Sequence, residues 1–258
     1  MVIKLTPKCE ANISKMEEKM SMYSKRMKFL EGVKAGLPVA VGYIPIAVAF
    51  GLLSKSLDIP SYTSILMSLL IYAGASQFIG INLLVLGASF GEIIITTFLL
   101  NLRHFLMTAT LSQRLYSEVS KSWRALLSFG VTDETFTVSA LQKAEKLSEY
   151  FILGINTIAF VSWNVGTWLG LFFATSLPEV VKASMGIALY AMFIGLLIPH
   201  IKKSKPVLVV SLLSMMINCL IYWASMFSGF SSSWGIIVAT IVSAAVGAIF
   251  YSKGEEQV

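Results

Sequence analysis

Charge is scarce in this chain. Of 258 residues only 13% are Asp, Glu, Lys or Arg, whereas 56% are hydrophobic and the mean hydropathy is +0.76. An ordinary soluble domain carries about 25% charged residues, so that class is excluded. Histidine is rarer still. His104 and His200 are the only two, which leaves neither a paired-histidine haem pattern nor a metal-ligand spacing. Cys9 and Cys219 are the only cysteines. One precedes the apolar region and the other lies in a late apolar segment, so no disulfide is expected. The sequence holds no GxxxxGK(S/T) P-loop, and with it no ATP-hydrolysing site of that kind. HExxH and G-x-S-x-G are missing as well, which argues against an intramembrane hydrolase. Neither an enzymatic role nor a cofactor is expected.

What the chain has instead is apolar length. Several runs approach the ~20 residues that cross a bilayer. The expected fold is all-α: a polytopic integral membrane helix bundle of about eight helical segments, with about six to eight spans and some segments broken or re-entrant. The net charge is +6. Its excess sits in the N-terminal stretch and in short connections, which reads as membrane topology and not as nucleic-acid binding.

Two regions are expected, residues 1–33 and residues 34–253. In the first, Met16, Met20, Tyr23, Met27 and Leu30 recur at steps of four and three beside many lysines. That pattern gives an amphipathic helix suited to an anionic membrane surface, or else a partly disordered tail. Its basic charge favours a cytoplasmic N-terminus, and no cleavable signal is expected because no apolar core follows the basic start directly. The second region is the transmembrane part. Its segments are read at residues 36–53, 62–86, 92–111, 125–141, 150–177, 181–199, 207–227 and 234–251.

Four of these runs have polar or breaking centres. Segment one carries GYIP at Gly42–Pro45. Pro45 removes a backbone donor and crowds the preceding turn, so a kink or break is expected there, beside Tyr43. Segment two centres on YAGASQF, where Gly74 and Ser76 allow close backbone approach and Gln77 offers an amide. Segment three holds Asn101, Arg103 and His104 in mid-run. A charge at that depth costs about 2.5–3.5 kcal/mol, so it should face a bundle interior or a water-filled cavity. Thr97, Asn101, His104 and Thr108 share one helical face and Arg103 points elsewhere. A helix end, with Arg103 and His104 snorkelling to an interface, is the plainer reading. Segment four is short and carries Asp133 and Glu134. It is too polar to face lipid and reads as a half-helix, a re-entrant loop or a buried helix. Either acid is a candidate partner for Arg103, and either can instead bind a substrate ammonium or carry a proton.

Gly166 and Gly170 form a GxxxG pair, and Gly235, Ala239, Ser243 and Gly247 make a small-residue ridge. Both are close-packing surfaces, expected to offer more of it than a lone bundle needs. Counting eight full spans puts the Lys202–Lys205 loop inside, as the positive-inside rule asks, but puts Arg114, Lys121 and Arg124 outside. A re-entrant segment before that connection and a non-spanning segment four repair both.

Four stretches together resemble the AzlC family of branched-chain amino acid exporters. They are GLPVAVGYIPIAVAFGLL from Gly36, LMSLLIYAGASQF from Leu66, EIIITTFLLNLRHFLMTATL from Glu92 and FGVTDETF from Phe129. The resemblance runs from Gly32 to beyond Trp163, and the N-terminal stretch is longer than the family pattern. It implies the large subunit of a secondary transporter that exports valine, leucine, isoleucine and analogues across the cell membrane. It also implies a small AzlD-type membrane subunit as partner. Broken membrane helices are where such transporters hold substrate. The candidate pathway residues are therefore Tyr43, Pro45, Gly74, Ser76, Gln77, Asn101, Arg103, His104, Asp133 and Glu134. A passive channel and a non-transporting scaffold subunit are the alternative readings.

Overall fold

Among the described residues every regular element is helical and no strand forms. The computed structural model describes residues 7–173, 194–195, 197–198, 201–202, 204–228 and 233–251. The elements are α1 (Pro7–Ser56), α2 (Ser61–Leu66), a π-helical segment (Met67–Ile71), α3 (Gly74–Val85), α4 (Phe90–Gln113), α5 (Lys121–Phe129), α6 (Asp133–Ala140), α7 (Glu149–Phe173), α8 (Lys205–Ser228) and α9 (Ser233–Tyr251). Segment six, at residues 181–199, falls almost wholly outside the described residues. Among the described residues four stretches are long and apolar enough to cross a membrane: Met22–Ser56, Phe90–Gln113, Glu149–Phe173 and Lys205–Trp223. The chain forms two compact units, Met1–Ala47 with Arg103–Gly166, and Val48–Leu102 with Thr167–Val258.

The first unit is built where glycine lets two helices meet. Gly32 of α1 faces the Phe151 backbone of α7, and Gly36 faces Ile155 and Ile158. Gly166 of α7 sits against Ala47 and Ile44, where an added Cβ would lie 2.7 Å from the Ala47 methyl. These contacts advance together along both chains, so α1 and α7 run parallel. A parallel pair needs its connection to return across the bundle. Leu111, Leu115, Leu127, Val131, Leu147, Phe151, Ile152 and Ile155 fill the core beside them.

Inside the same unit, α5 and α6 fold back on each other. Arg124 of α5 reaches the Ser112 carbonyl, and Arg114 donates to the carbonyls of Ser139 and Ala140 at the end of α6. Both ends of the pair are thus tied to one level of the chain, and the turn lies at Gly130–Thr132. Gly130 packs against Asn156, whose amide donates to the Leu127 carbonyl. At nine and eight residues, each arm spans only about 12–14 Å at 1.5 Å per residue. Segment four is therefore a helical hairpin too short to cross.

The second unit holds another hairpin. Gln77 of α3 donates to Ser68 of the π-helical segment at 2.9 Å, and Met67 reaches Gly80. Along one straight helix Met67 and Gly80 would stand about 20 Å apart. The reversal lies at Tyr72, which is left-handed at φ 48°, followed by Ala73. Here the parallel pair continues, with Gly51 of α1 against Thr167 and Gly170 of α7. α8 and α9 pack antiparallel, Gly235 facing Asn218 and Ile221 while Gly247 faces Val210.

Two expectations are corrected. Segment one does not break at Pro45, since α1 is continuous through Pro38 and Pro45. Pro45 lies on the exposed side of the helix with Val41 and Ile44, and Gly42 has open space around it. The lost bond at one turn is absorbed by its neighbours, as membrane helices allow. The small-residue surfaces, expected to exceed what the chain needs, are filled from within. Gly166 and Gly170 take α1, and both ends of the Gly235–Gly247 ridge take α8. The close approach at each lets backbones touch, which is where packing in a bilayer is strongest.

Candidate functional site

The polar residues of the first unit gather at the hairpin turn. Thr132 is the N-cap of α6, in a capping box with Thr135, and Asp133 and Glu134 occupy the first turn. Carboxylates there are favoured by the free N–H groups and the helix dipole. Arg103 of α4 meets Asp133, with Nη1 3.0 Å from Oδ2. Of the two candidate partners for Arg103, Asp133 is the one that forms the pair. The side chains are 39% and 34% exposed, so this pair adds only about 0–1 kcal/mol to stability. The Arg103 Nε is buried and has no hydrogen-bond partner among the described residues. The guanidinium therefore keeps one N–H unfilled beside the ion pair, on a group whose geometry suits carboxylates. His104 sits in the same neighbourhood, with Arg103, Asp133, Glu134 and the Val131 backbone around it.

Tyr43 of α1 is 6% exposed. Its hydroxyl lies 2.6 Å from Glu134 Oε2 and 2.6 Å from Thr132 Oγ1. The ring packs edge-on against Trp163 at 5.4 Å. Tyr43, Arg103, His104, Asp133 and Glu134 thus converge on one hairpin turn. α4 is continuous through this region, and Arg103 is half-buried there, so it is not at a helix end. Its surroundings in the first unit meet its charge.

In the second unit one buried carboxylate, Glu92, accepts from the Ser89 N–H and hydroxyl at the start of α4, and the polar cluster around Ser68 is neutral. Ser54 pairs with Ser64, and Ser68 lies 2.9 Å from Thr167 and accepts from Gln77. Ser54, Ser64, Ser68, Gln77 and Thr167 are each 0% exposed. Ser76 donates to Asn101 Oδ1 at 2.8 Å. Gly74 begins α3 just after the reversal. These side chains satisfy one another in a dry interior, as buried polar groups must. Pro45 joins neither cluster.

Sequence reasoning missed Thr132, Trp163, Ser68 and Thr167. Thr132 carried a signal, since a threonine before an acidic pair is an N-cap pattern. Ser68 and Thr167 carried none, because their contact joins residues 99 apart. The Arg114 and Arg124 side chains, read as topology signals, also cap backbone carbonyls of the connection they flank, as does Lys146.

A family model described as AzlC protein matches residues 38–177. The inner membrane protein YgaZ of Escherichia coli is 34% identical over 191 residues, covering 72% of this chain and 78% of that protein. An uncharacterized membrane protein of Archaeoglobus fulgidus is 34% identical over 185 residues, covering 71% and 80%. A branched-chain amino acid transport protein of Bacillus subtilis, AzlC, is 24% identical over 171 residues, covering 66% of each. No solved structure matches.

Proposed function

Because the chain belongs to the AzlC family, whose model matches more than half of it, we propose that it is the large membrane subunit of a secondary transporter exporting branched-chain amino acids. The observation that carries this reading is the cluster at the α5–α6 turn. There a cation and two carboxylates meet at half-burial, with one guanidinium N–H unfilled. An amino acid is a zwitterion. Its carboxylate suits the Arg103 guanidinium and its ammonium competes for Asp133, so substrate can exchange with the internal ion pair at little electrostatic cost. The absence of a P-loop from the sequence favours an ion gradient or the membrane potential over ATP as the driving force.

Residues 34–253 form the transport domain in this reading, and residues 1–33 are cytoplasmic. Two re-entrant hairpins make the topology consistent. If α2–α3 returns to the side it entered, α4 brings the chain back to the side of the N-terminus. Arg114, Lys121 and Arg124 then lie inside with the N-terminus, as their charge favours. A small AzlD-type membrane subunit completes the transporter. Localisation is the cell membrane.

The test is efflux of labelled leucine from vesicles that carry this chain with and without a small subunit of that type. Gradient-dependent efflux with the pair present supports the reading. Flux that ignores every ion gradient makes the protein a passive channel. No flux in any combination, with leucine binding also absent, makes it a scaffold.

A further inference from the structure

Two neighbouring carboxylates at the head of α6 have been given different company. Asp133 faces a guanidinium, 3.0 Å from Arg103 Nη1. Glu134 faces a neutral phenol, 2.6 Å from Tyr43 Oη. The groups around Glu134 are Tyr43 from α1, Arg103 and His104 from α4, and Asp133 on its own helix. Arg103 and Asp133 pair with each other, which leaves Glu134 as the carboxylate of the cluster with no ion-pair partner among the described residues. We infer that Glu134 is the residue that takes up and releases the proton of transport, with Tyr43 as its hydrogen-bond switch; this rests on the transport reading above.

The Tyr43 geometry serves both states. With Glu134 ionised, the phenol O–H donates to Oε2, and the Thr132 hydroxyl donates to the phenol oxygen. When a hydronium ion gives its proton to Oε2, leaving water, the new carboxyl O–H donates to Tyr43 Oη. The phenol proton, which is not transferred, turns to Thr132 Oγ1, 2.6 Å away, and the Thr132 hydroxyl swings to donate to Thr135 Oγ1 at 3.3 Å. Thr132 Oγ1 is an acceptor already, taking the Thr135 N–H, and a hydroxyl oxygen has two lone pairs. Release reverses the steps and returns the proton to water. Neither state leaves a buried donor or acceptor unmet, so the switch avoids the usual penalty for an orphaned polar group.

Infrared titration of the purified protein without amino acid reads the proton directly and does not depend on transport. A protonated-carboxyl band that rises as pH falls is expected in the wild type and in Asp133→Asn, and lost in Glu134→Gln. In Tyr43→Phe the band should shift, because the phenol partner is gone. This variant decides the matter if Asp133→Asn does not fold. A band that persists in Glu134→Gln, or is unmoved in Tyr43→Phe, overturns the assignment. In vesicles, leucine-driven proton flux should be lost in Glu134→Gln. Wild-type leucine transport with no proton flux overturns the assignment and leaves the transport reading standing.

Discussion

The two units solve the same problem, polar groups in an apolar helix bundle, with opposite chemistry. The first uses charge: Arg103, Asp133 and Glu134 sit half-buried at a hairpin turn, with Tyr43 beside them. The second uses hydroxyls and an amide: Ser54, Ser64, Ser68, Gln77 and Thr167 are fully buried and bonded to one another. Neutral groups that satisfy one another survive in a dry interior and fix packing. Charges do not, unless they are paired or reach water. Partial exposure of the ion pair is therefore the mark of a place that solvent or a polar ligand enters. YAGASQF looked equally promising as a pathway element, yet Gln77 has no exposure and donates to Ser68.

The largest effect separates architecture from chemistry. Gly166→Leu drives a side chain into Ala47 and Ile44 and should cost about 3 kcal/mol or more. Loss of folded protein in detergent, followed by size-exclusion chromatography, checks it, and normal folding would break the close α1–α7 contact. Arg103→Ala comes next. It should change thermal stability by less than about 1 kcal/mol, as expected of a half-exposed pair. It should weaken leucine binding about 10–100-fold, the worth of a charge-assisted hydrogen bond. Isothermal titration and a thermal melt read the two separately. Gln77→Leu should do the reverse, lowering stability by about 1–3 kcal/mol because Ser68 loses its donor in a dry site, with leucine affinity unchanged. The smallest effect is expected for Ser76→Ala, about 0.5–1 kcal/mol, because Asn101 is only half-buried and can turn to another donor. A Ser76→Ala loss as large as that of Gln77→Leu would mean the Ser76–Asn101 contact belongs to the same dry network.

Much of this was legible in advance. Composition gave the all-helical membrane class, and hydropathy found three of the spans among the described residues within a few residues, whereas the first begins at Met22, well before the expected start at residue 36. The polar triplet of segment three and the acidic pair of segment four stood out because charge is so rare around them. The clash between eight full spans and the basic connection near Arg114 already pointed to re-entrant segments. Other features were hidden. Hydropathy cannot distinguish a span from a hairpin of similar length, and the Ser68–Gln77 and Met67–Gly80 approaches reveal the reversal. Pro45 misled because the proline rule is local, whereas tolerance depends on which side of the helix the ring faces. The choice of Asp133 over Glu134 as the Arg103 partner follows from where Tyr43 lies, and Tyr43 is 91 residues from Glu134.

The central claim is that the charged cluster handles substrate and the neutral network only holds the fold. Labelled-leucine efflux from vesicles, at matched amounts of folded protein, compares Arg103→Ala with Asp133→Asn in one chain against Gln77→Leu in another. The paired variant should fold, since a half-exposed ion pair adds little to stability, and should not transport. The Gln77→Leu protein should transport at near the wild-type rate while melting at a lower temperature. Efflux retained by the paired variant and abolished by Gln77→Leu would contradict the account.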